Sequence, residues 1–277
     1  MDVRSLGYRT DIMLRVLEGS QVTGRDGYLV IRSPANPMFW WGNFLLLAAP
    51  PRPGETGLWL SRFAAEFPEA EHIALGLDVT DDAAVDSVRA SDLAAATAEL
   101  LAAGFELDRS TVLAASAVHD PPHPDRSCTY RELSGDGDWR QAAELRAACY
   151  AAEPGGDLAF IGARIAAERG LTESGRGSWY GAFRDGRLLA QLGLIRGASG
   201  LARYQSVETH PRARRQGLAG TLVCHAARRC LDSGAATTLV MVADPDDVAI
   251  RVYRSLGFAA VETQIGFARP PAAQAGR

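Results

Sequence analysis

A chain of 277 residues, 47% hydrophobic and 22% charged, has the profile of one large or two small globular domains and excludes a disordered or fibrous polymer. Its net charge of −4 argues against wholesale binding to nucleic acid or to an anionic membrane. All 29 lysine-or-arginine positions are arginine, which removes Schiff-base lysine chemistry. The first residues lack the apolar core of a secretory signal, and no apolar run approaches the ~18 residues of a membrane helix, so a cytoplasmic protein is expected. Cys128, Cys149, Cys224 and Cys230 form no C-x-x-C pair, and no metal site is expected.

In chain order, the pattern predicts strands at 27–31 and 43–48 and an amphipathic helix at 58–66 with Trp59 and Phe63 on one face. A strand at 72–79, a helix at 91–103 capped by Ser91 and stopped by Gly104, and a strand at 111–115 follow. The run "VHDPPHPDR", 118–126, carries three prolines that no helix or central strand accommodates. It reads as a linker, 119–126, between an N-terminal half (1–118) and a C-terminal half (127–277). The second half reads as helices at 138–151 and 157–169 and a hairpin of strands 178–184 and 187–195 joined by Asp185-Gly186. A strand through Val207, a helix at 216–233, a strand at 238–243, a helix at 247–256 and a strand at 261–267 complete it. Both halves are mixed α/β.

A weak repeat relates the halves, since each ends in helix, Gly-Phe, strand, at Gly104-Phe105 and Gly257-Phe258. The aromatic run Phe39-Trp40-Trp41-Gly42-Asn43-Phe44 admits two readings, core packing or the wall of a substrate pocket.

The stretch "HPRARRQGLAGTL", 210–222, sits between a predicted strand and a predicted helix. Arg214, Gly217 and Ala219 fit Arg-x-x-Gly-x-Gly/Ala. A helix start offers amides without intrahelical partners, and its dipole favours anions. Small residues there admit a phosphate, and Arg214 and Arg215 add charge. The Gly-Lys-Ser/Thr ending of a Walker A loop is absent, as is a Gly-x-Gly opening. The alternative is an ordinary helix start with small residues for packing.

Together with Ala249-x-x-x-Tyr253-x-x-x-Gly257-Phe258, this stretch resembles the GNAT superfamily of N-acetyltransferases over about 140 residues of the C-terminal half. The resemblance implies two GNAT-like α/β domains, each a mixed, mostly antiparallel sheet flanked by helices, the C-terminal one catalytic and the N-terminal one degenerate. It implies that strands like 202–209 and 238–243 splay apart around the pantetheine arm of acetyl-CoA. By position, Val207, Glu208 and Thr209 contact that arm. Arg215, Gln216, Gly217, Leu218, Ala219 and Gly220 form the pyrophosphate loop, with Arg214 beside it. Tyr253 matches the family's tyrosine that protonates the departing thiolate.

Met241 stands where some members carry a basic glutamate, which leaves Glu208 as the candidate base, with His210 behind it or a water relay. Asp246, where the family often has asparagine, is either a helix cap or a cofactor contact. In the N-terminal half the position of Tyr253 is taken by Leu100, and the loop "PPRPGETG", 50–57, lacks the arginine-glycine pattern. The expected activity is transfer of the acetyl group of acetyl-CoA to a primary amine of a small molecule, amino acid or peptide. The alternatives are an inactive acyl-CoA-binding regulator and an inert scaffold. A homodimer is left open.

Overall fold

The computed structural model describes residues 1–80, 87–150 and 158–271. The ends of the helices expected at 138–151 and 157–169 therefore reach positions 151 and 157, outside the described residues. The chain forms two compact units, one of Met1–Val112 together with the residues from Val261 on, the other of Leu113–Ala260. The last strand thus belongs with the first unit, whereas the sequence pattern alone assigns it to the second half.

The first unit holds α1 (Leu6–Leu17), β1 (Gln21–Arg25), β2 (Tyr28–Arg32), β3 (Phe44–Leu47), α2 (Thr56–Glu66), β4 (Ile73–Leu77), α3 (Ser87–Ala102) and most of β5 (Glu106–Ala115). β1–β2 and β2–β3 are antiparallel, β3–β4 is parallel, and β4 pairs antiparallel with the chain's last strand, β11 (Ala259–Arg269). Both sheet faces are covered, which explains the unbroken apolar run of β3. Leu45, Leu47, Leu75 and Leu77 pack with Trp59, Phe63 and Leu100. Ile31, Phe44, Leu46 and Ala74 pack with Tyr8 of α1 on the other face.

The start of α1 has one local cap, the Ser5 hydroxyl accepting from the Tyr8 amide (3.3 Å), and its other partners come from far along the chain. Glu262 accepts from the Leu6 amide (3.0 Å) and the Gly7 amide (2.6 Å), and Asp78 accepts from the Ser5 amide (2.8 Å). These carboxylates satisfy helix-start donors and favour the positive end of the dipole. α3 begins at Ser87, so Ser91 lies inside the helix rather than capping it. Within the aromatic run, Trp40 stacks on His72, and Trp41 packs on Phe44 and covers Gly266, as core packing requires.

The second unit holds β6 (Thr129–Glu132), α4 (Gly135–Tyr150), α5 (Leu158–Glu173), β7 (Gly177–Arg184), β8 (Arg187–Arg196), β9 (Leu201–Thr209), α6 (Leu218–Asp232), β10 (Thr238–Ala243) and α7 (Ala249–Ser255). β6–β7, β7–β8 and β8–β9 are antiparallel and β9–β10 is parallel, so that β7 to β10 repeat the pairings of β1 to β4. Asp185 and Gly186 both take positive φ (51° and 76°), as the expected tight hairpin turn demands. The repeat extends to the helix ends. Gly104 and Gly257 are left-handed (φ 83° and 99°), and the amides of Phe105 and Phe258 fold back onto the carbonyls of Leu100 and Tyr253 (3.0 and 3.2 Å).

Residues 119–126 are not a free connector. The His119 amide donates to the Leu256 carbonyl (2.9 Å), Cys224 Sγ to the His119 carbonyl (3.4 Å) and the Asp125 amide to Thr221 Oγ1 (2.9 Å). The proline-rich run is therefore strapped along α6 within the second unit. No described helix is long and apolar enough to cross a membrane.

Candidate active site

The parallel pairing of β9 with β10 covers only Leu201–Arg203 against Thr238–Val240. β9 runs on to Thr209 and β10 to Ala243 without it. The two strands thus part in mid-sheet, and Met241 stands at the start of the unpaired stretch. In the first unit the equivalent pair runs to the end, Leu47 against Leu77, and the Asp78 amide adds a bond to the Leu47 carbonyl (2.8 Å).

β9 also bulges toward its other neighbour. Gln191 pairs with Glu208 but Gly193 pairs with Gln205, so β9 spends one extra residue there, and Ser206 is left-handed (φ 48°). A Cβ on Gly193 would collide with the Trp179 indole, which fixes the partner strand at that point.

Glu208 is held from two sides. Its Oε1 accepts from Arg146 Nε (2.8 Å) and its Oε2 from Gln191 Nε2 (2.6 Å). Arg146 Nη1 bridges to both oxygens of Glu168 (2.9 and 2.8 Å). Arg146 Nη2 is buried without a hydrogen-bond partner among the described residues. Gln191 is itself oriented by Trp179 Nε1 (3.3 Å) and by the Ala142 carbonyl (3.1 Å). Burial outweighs the neighbouring guanidinium and raises the carboxyl pKa values of both Glu208 and Glu168.

After β9 the chain turns at Pro211–Ala213, where His210 Nδ1 accepts from the Arg212 amide (3.2 Å). Arg214, Arg215 and Gln216 are exposed, Arg214 Nε reaches the Thr209 carbonyl (3.4 Å), and Arg215 is left-handed (φ 61°). Gly217 is the N-cap of α6 (φ 82°), and no side chain caps the helix. Leu218, Ala219 and Gly220 therefore present first-turn amides at the end of an uncapped dipole, beside two exposed guanidinium groups.

Gly217 has a second reason to be glycine. A Cβ there would collide with the His123 carbonyl oxygen of the strap. Behind the loop, Asp125 collects the Cys128 amide (3.0 Å), the Tyr130 hydroxyl (2.9 Å) and Arg184 Nη2 (3.3 Å), while Arg184 Nη1 holds Gln216 Oε1 (3.1 Å). Burial opposes charge on Asp125, yet the hydrogen bonds from Ser127, Tyr130 and Cys128 hold its carboxyl at about 2.

Tyr253 is buried in the core between α6, α7 and the sheet, and among the described residues its hydroxyl has no hydrogen-bond partner. Burial, with Asp247 adding to it, pushes its phenol above the ordinary tyrosine value, so it is protonated at neutral pH. Asp246 does not cap α7. The helix starts at Ala249, whose amide is taken by Asp247 Oδ1 (2.8 Å), and Asp246 is exposed with its own amide on Asp244 (2.8 Å).

The sequence alone points to Glu208, Gly217 and Tyr253 but to neither Arg146 nor Glu168. A signal was present in the spacing. Arg146 follows buried Trp139 and Ala142 at i+7 and i+4, and Glu168 follows Ile161 and Ile165 at i+7 and i+3, so both charges fall on the apolar stripes of their helices.

A model of the "Acetyltransferase (GNAT) family" matches residues 139–258. No curated protein matches the chain. Among solved structures, a GCN5-related N-acetyltransferase from Kribbella flavida is 19% identical, with 98% of each chain covered and a TM-score of 0.66. A functionally unknown conserved protein from Staphylococcus epidermidis ATCC 12228 is 12% identical, with 91% of this chain and 95% of that one covered and a TM-score of 0.67. A tandem GNAT protein from the clavulanic acid biosynthesis pathway is 16% identical, with 84% and 74% covered and a TM-score of 0.52. At these identities the likeness is one of fold, and it extends over both units. Parted parallel strands, a bulge beside them and an uncapped helix after an arginine-glycine loop fall together inside the stretch, residues 139–258, that matches the acetyltransferase (GNAT) family model.

Proposed function

We propose that the second unit is an acetyl-CoA-dependent N-acetyltransferase and that the first unit is a degenerate copy without a cofactor site. The observation that carries this reading is the loss of β9–β10 pairing beyond Arg203 and Val240, which opens one unit and not the other. The residues present fit the cosubstrate. Backbone of Val207, Glu208 and Thr209 borders the opening and suits the amide-bearing pantetheine arm. The amides of Leu218, Ala219 and Gly220, with Arg214, Arg215, Gln216 and Gly217, suit a pyrophosphate. Asp246, exposed beyond β10, is assigned to the rim of the same site.

Acetyl-CoA supplies an acetyl group activated as a thioester. The acceptor is a primary amine of a small molecule, amino acid or peptide. Its nitrogen forms a bond to the acyl carbon, the carbon–sulfur bond breaks, and the thiolate takes the Tyr253 phenolic proton. The attacking nitrogen gives up its proton to Glu208, directly or through water. The raised carboxyl pKa of Glu208 suits a base better than an ordinary glutamate would, while its bonds to Arg146 and Gln191 fix its position. Developing charge on the acyl oxygen calls for a backbone donor, which the bulged stretch of β9 can provide.

A panel of amines assayed for CoA thiol release tests the reading. Release with at least one amine class, lost in Tyr253→Phe, supports it. A folded protein that binds acetyl-CoA and releases no thiol with any amine contradicts it.

A further inference from the structure

Ser206 holds a left-handed conformation with a side chain larger than glycine's, inside a bulge that faces strands already parted. Such a conformation persists where its surroundings over-determine it. The surroundings here converge on Arg146, while Arg164 Nη2 makes a second, longer contact to Glu168 (3.6 Å) and none to Glu208 within ion-pair distance. Arg146 binds Glu208, two residues after Ser206, and also binds Glu168, whose Oε1 accepts from Ser206 Oγ at 3.5 Å. The bulge is thus gripped on both sides from α4 and α5, and it lies outside the β8 ladder on one edge and the β10 pairing on the other.

A buried ion cluster of this kind is weak evidence for stability, since its desolvation offsets much of its attraction. Registry is its better-attested use.

We propose that Arg146 is a positioning residue: by tying Glu208 to Glu168 it fixes the Ser206–Val207 bulge, and so the backbone that meets the acyl carbonyl of the thioester. The proposal rests on reading the second unit as an acyl-CoA site. It separates two parts of that site. The pyrophosphate loop sets affinity for CoA itself, whereas the bulge adds what depends on the acyl group.

The test compares acetyl-CoA with CoA by calorimetric titration of the full chain. The proteins are the wild type, Arg146→Lys, and Arg146→Lys with Ser206→Gly. Lysine keeps the charge, but one ammonium does not reproduce the fork that binds Nε and Nη1 partners together. The expected result is an acetyl-CoA affinity lowered about 3- to 10-fold in Arg146→Lys, the worth of one hydrogen bond, with CoA affinity within about 2-fold of wild type. Glycine at 206 adopts positive φ without strain and recovers most of that loss. An unchanged acetyl-CoA-to-CoA ratio, equal weakening of both ligands, or a double variant no better than the single one overturns the positioning role. A wild-type protein that binds neither ligand overturns instead the reading of the second unit on which it rests.

Discussion

The Asp78 amide donates to the Leu47 carbonyl at 2.8 Å and so closes the β3–β4 pair at the point where its counterpart, β9–β10, is open. The same Asp78 carboxylate caps α1, which commits that strand end to the first unit's own core. The difference predicts where a ligand leaves its mark. On addition of CoA, amide hydrogen exchange should slow at 204–209 and 218–220 and stay unchanged at 44–47 and 73–77. Protection of the first-unit strands would contradict a closed, empty copy.

Tyr253 can be tested without confounding stability. Its hydroxyl has no hydrogen-bond partner among the described residues, so Tyr253→Phe should change folding stability by less than about 1 kcal/mol. Turnover should fall about 10- to 1,000-fold, with acetyl-CoA affinity nearly unchanged, if the phenol is the proton donor. Wild-type turnover at saturating substrate would remove it from the chemistry.

Asp125 predicts a pH dependence. Its carboxyl is held at about 2, below the ordinary value near 3.9. A depressed carboxyl contributes stability that is complete above the unfolded value and is lost as the pH falls through the folded one. Asp125→Asn should therefore cost about 2 kcal/mol at pH 7, and the gap to wild type should close between about pH 4 and pH 2. Urea unfolding at both ends of that range checks it. A penalty that does not vary with pH would mean the strap is not held by the charge.

Gly217 is required by fold as well as by ligand. With φ at 82° and the His123 carbonyl where a Cβ would go, Gly217→Ala should destabilise the second unit by about 1–3 kcal/mol even without ligand. Thermal unfolding measures it. A neutral substitution would show that the strap is not seated against the loop.

Local features made much of this legible. The order of strands and helices from 177 to 269 follows from alternation, from Asp185-Gly186 and from the left-handed glycine after α7. The loop 210–222 and Tyr253 are short-range patterns on a strand-turn-helix frame. What stayed hidden is non-local. β1 and β6 are short and largely polar, with no apolar alternation to mark them. α1 depends on Asp78 and Glu262. β11 follows α7 in sequence yet pairs with β4, and no local signal gives a strand's partner. Its prolines mark the run 118–126 as neither helix nor central strand, but its docking on α6 and on the end of α7 depends on Thr221, Cys224 and Leu256, each about a hundred residues or more away. The clamp of Arg146 on Glu208 spans 62 positions.

The central claim is a single acyl-CoA site built on the start of α6. It is tested most directly by calorimetric titration of the full chain and of Ala219→Asp with acetyl-CoA. Ala219 lies in the first turn of α6, where an acidic residue favours the helix but repels a pyrophosphate. The account predicts one site per chain in the wild type and, in a variant of undiminished thermal stability, affinity reduced at least about tenfold. Two sites per chain, no binding by folded wild type, or full affinity in Ala219→Asp would contradict it.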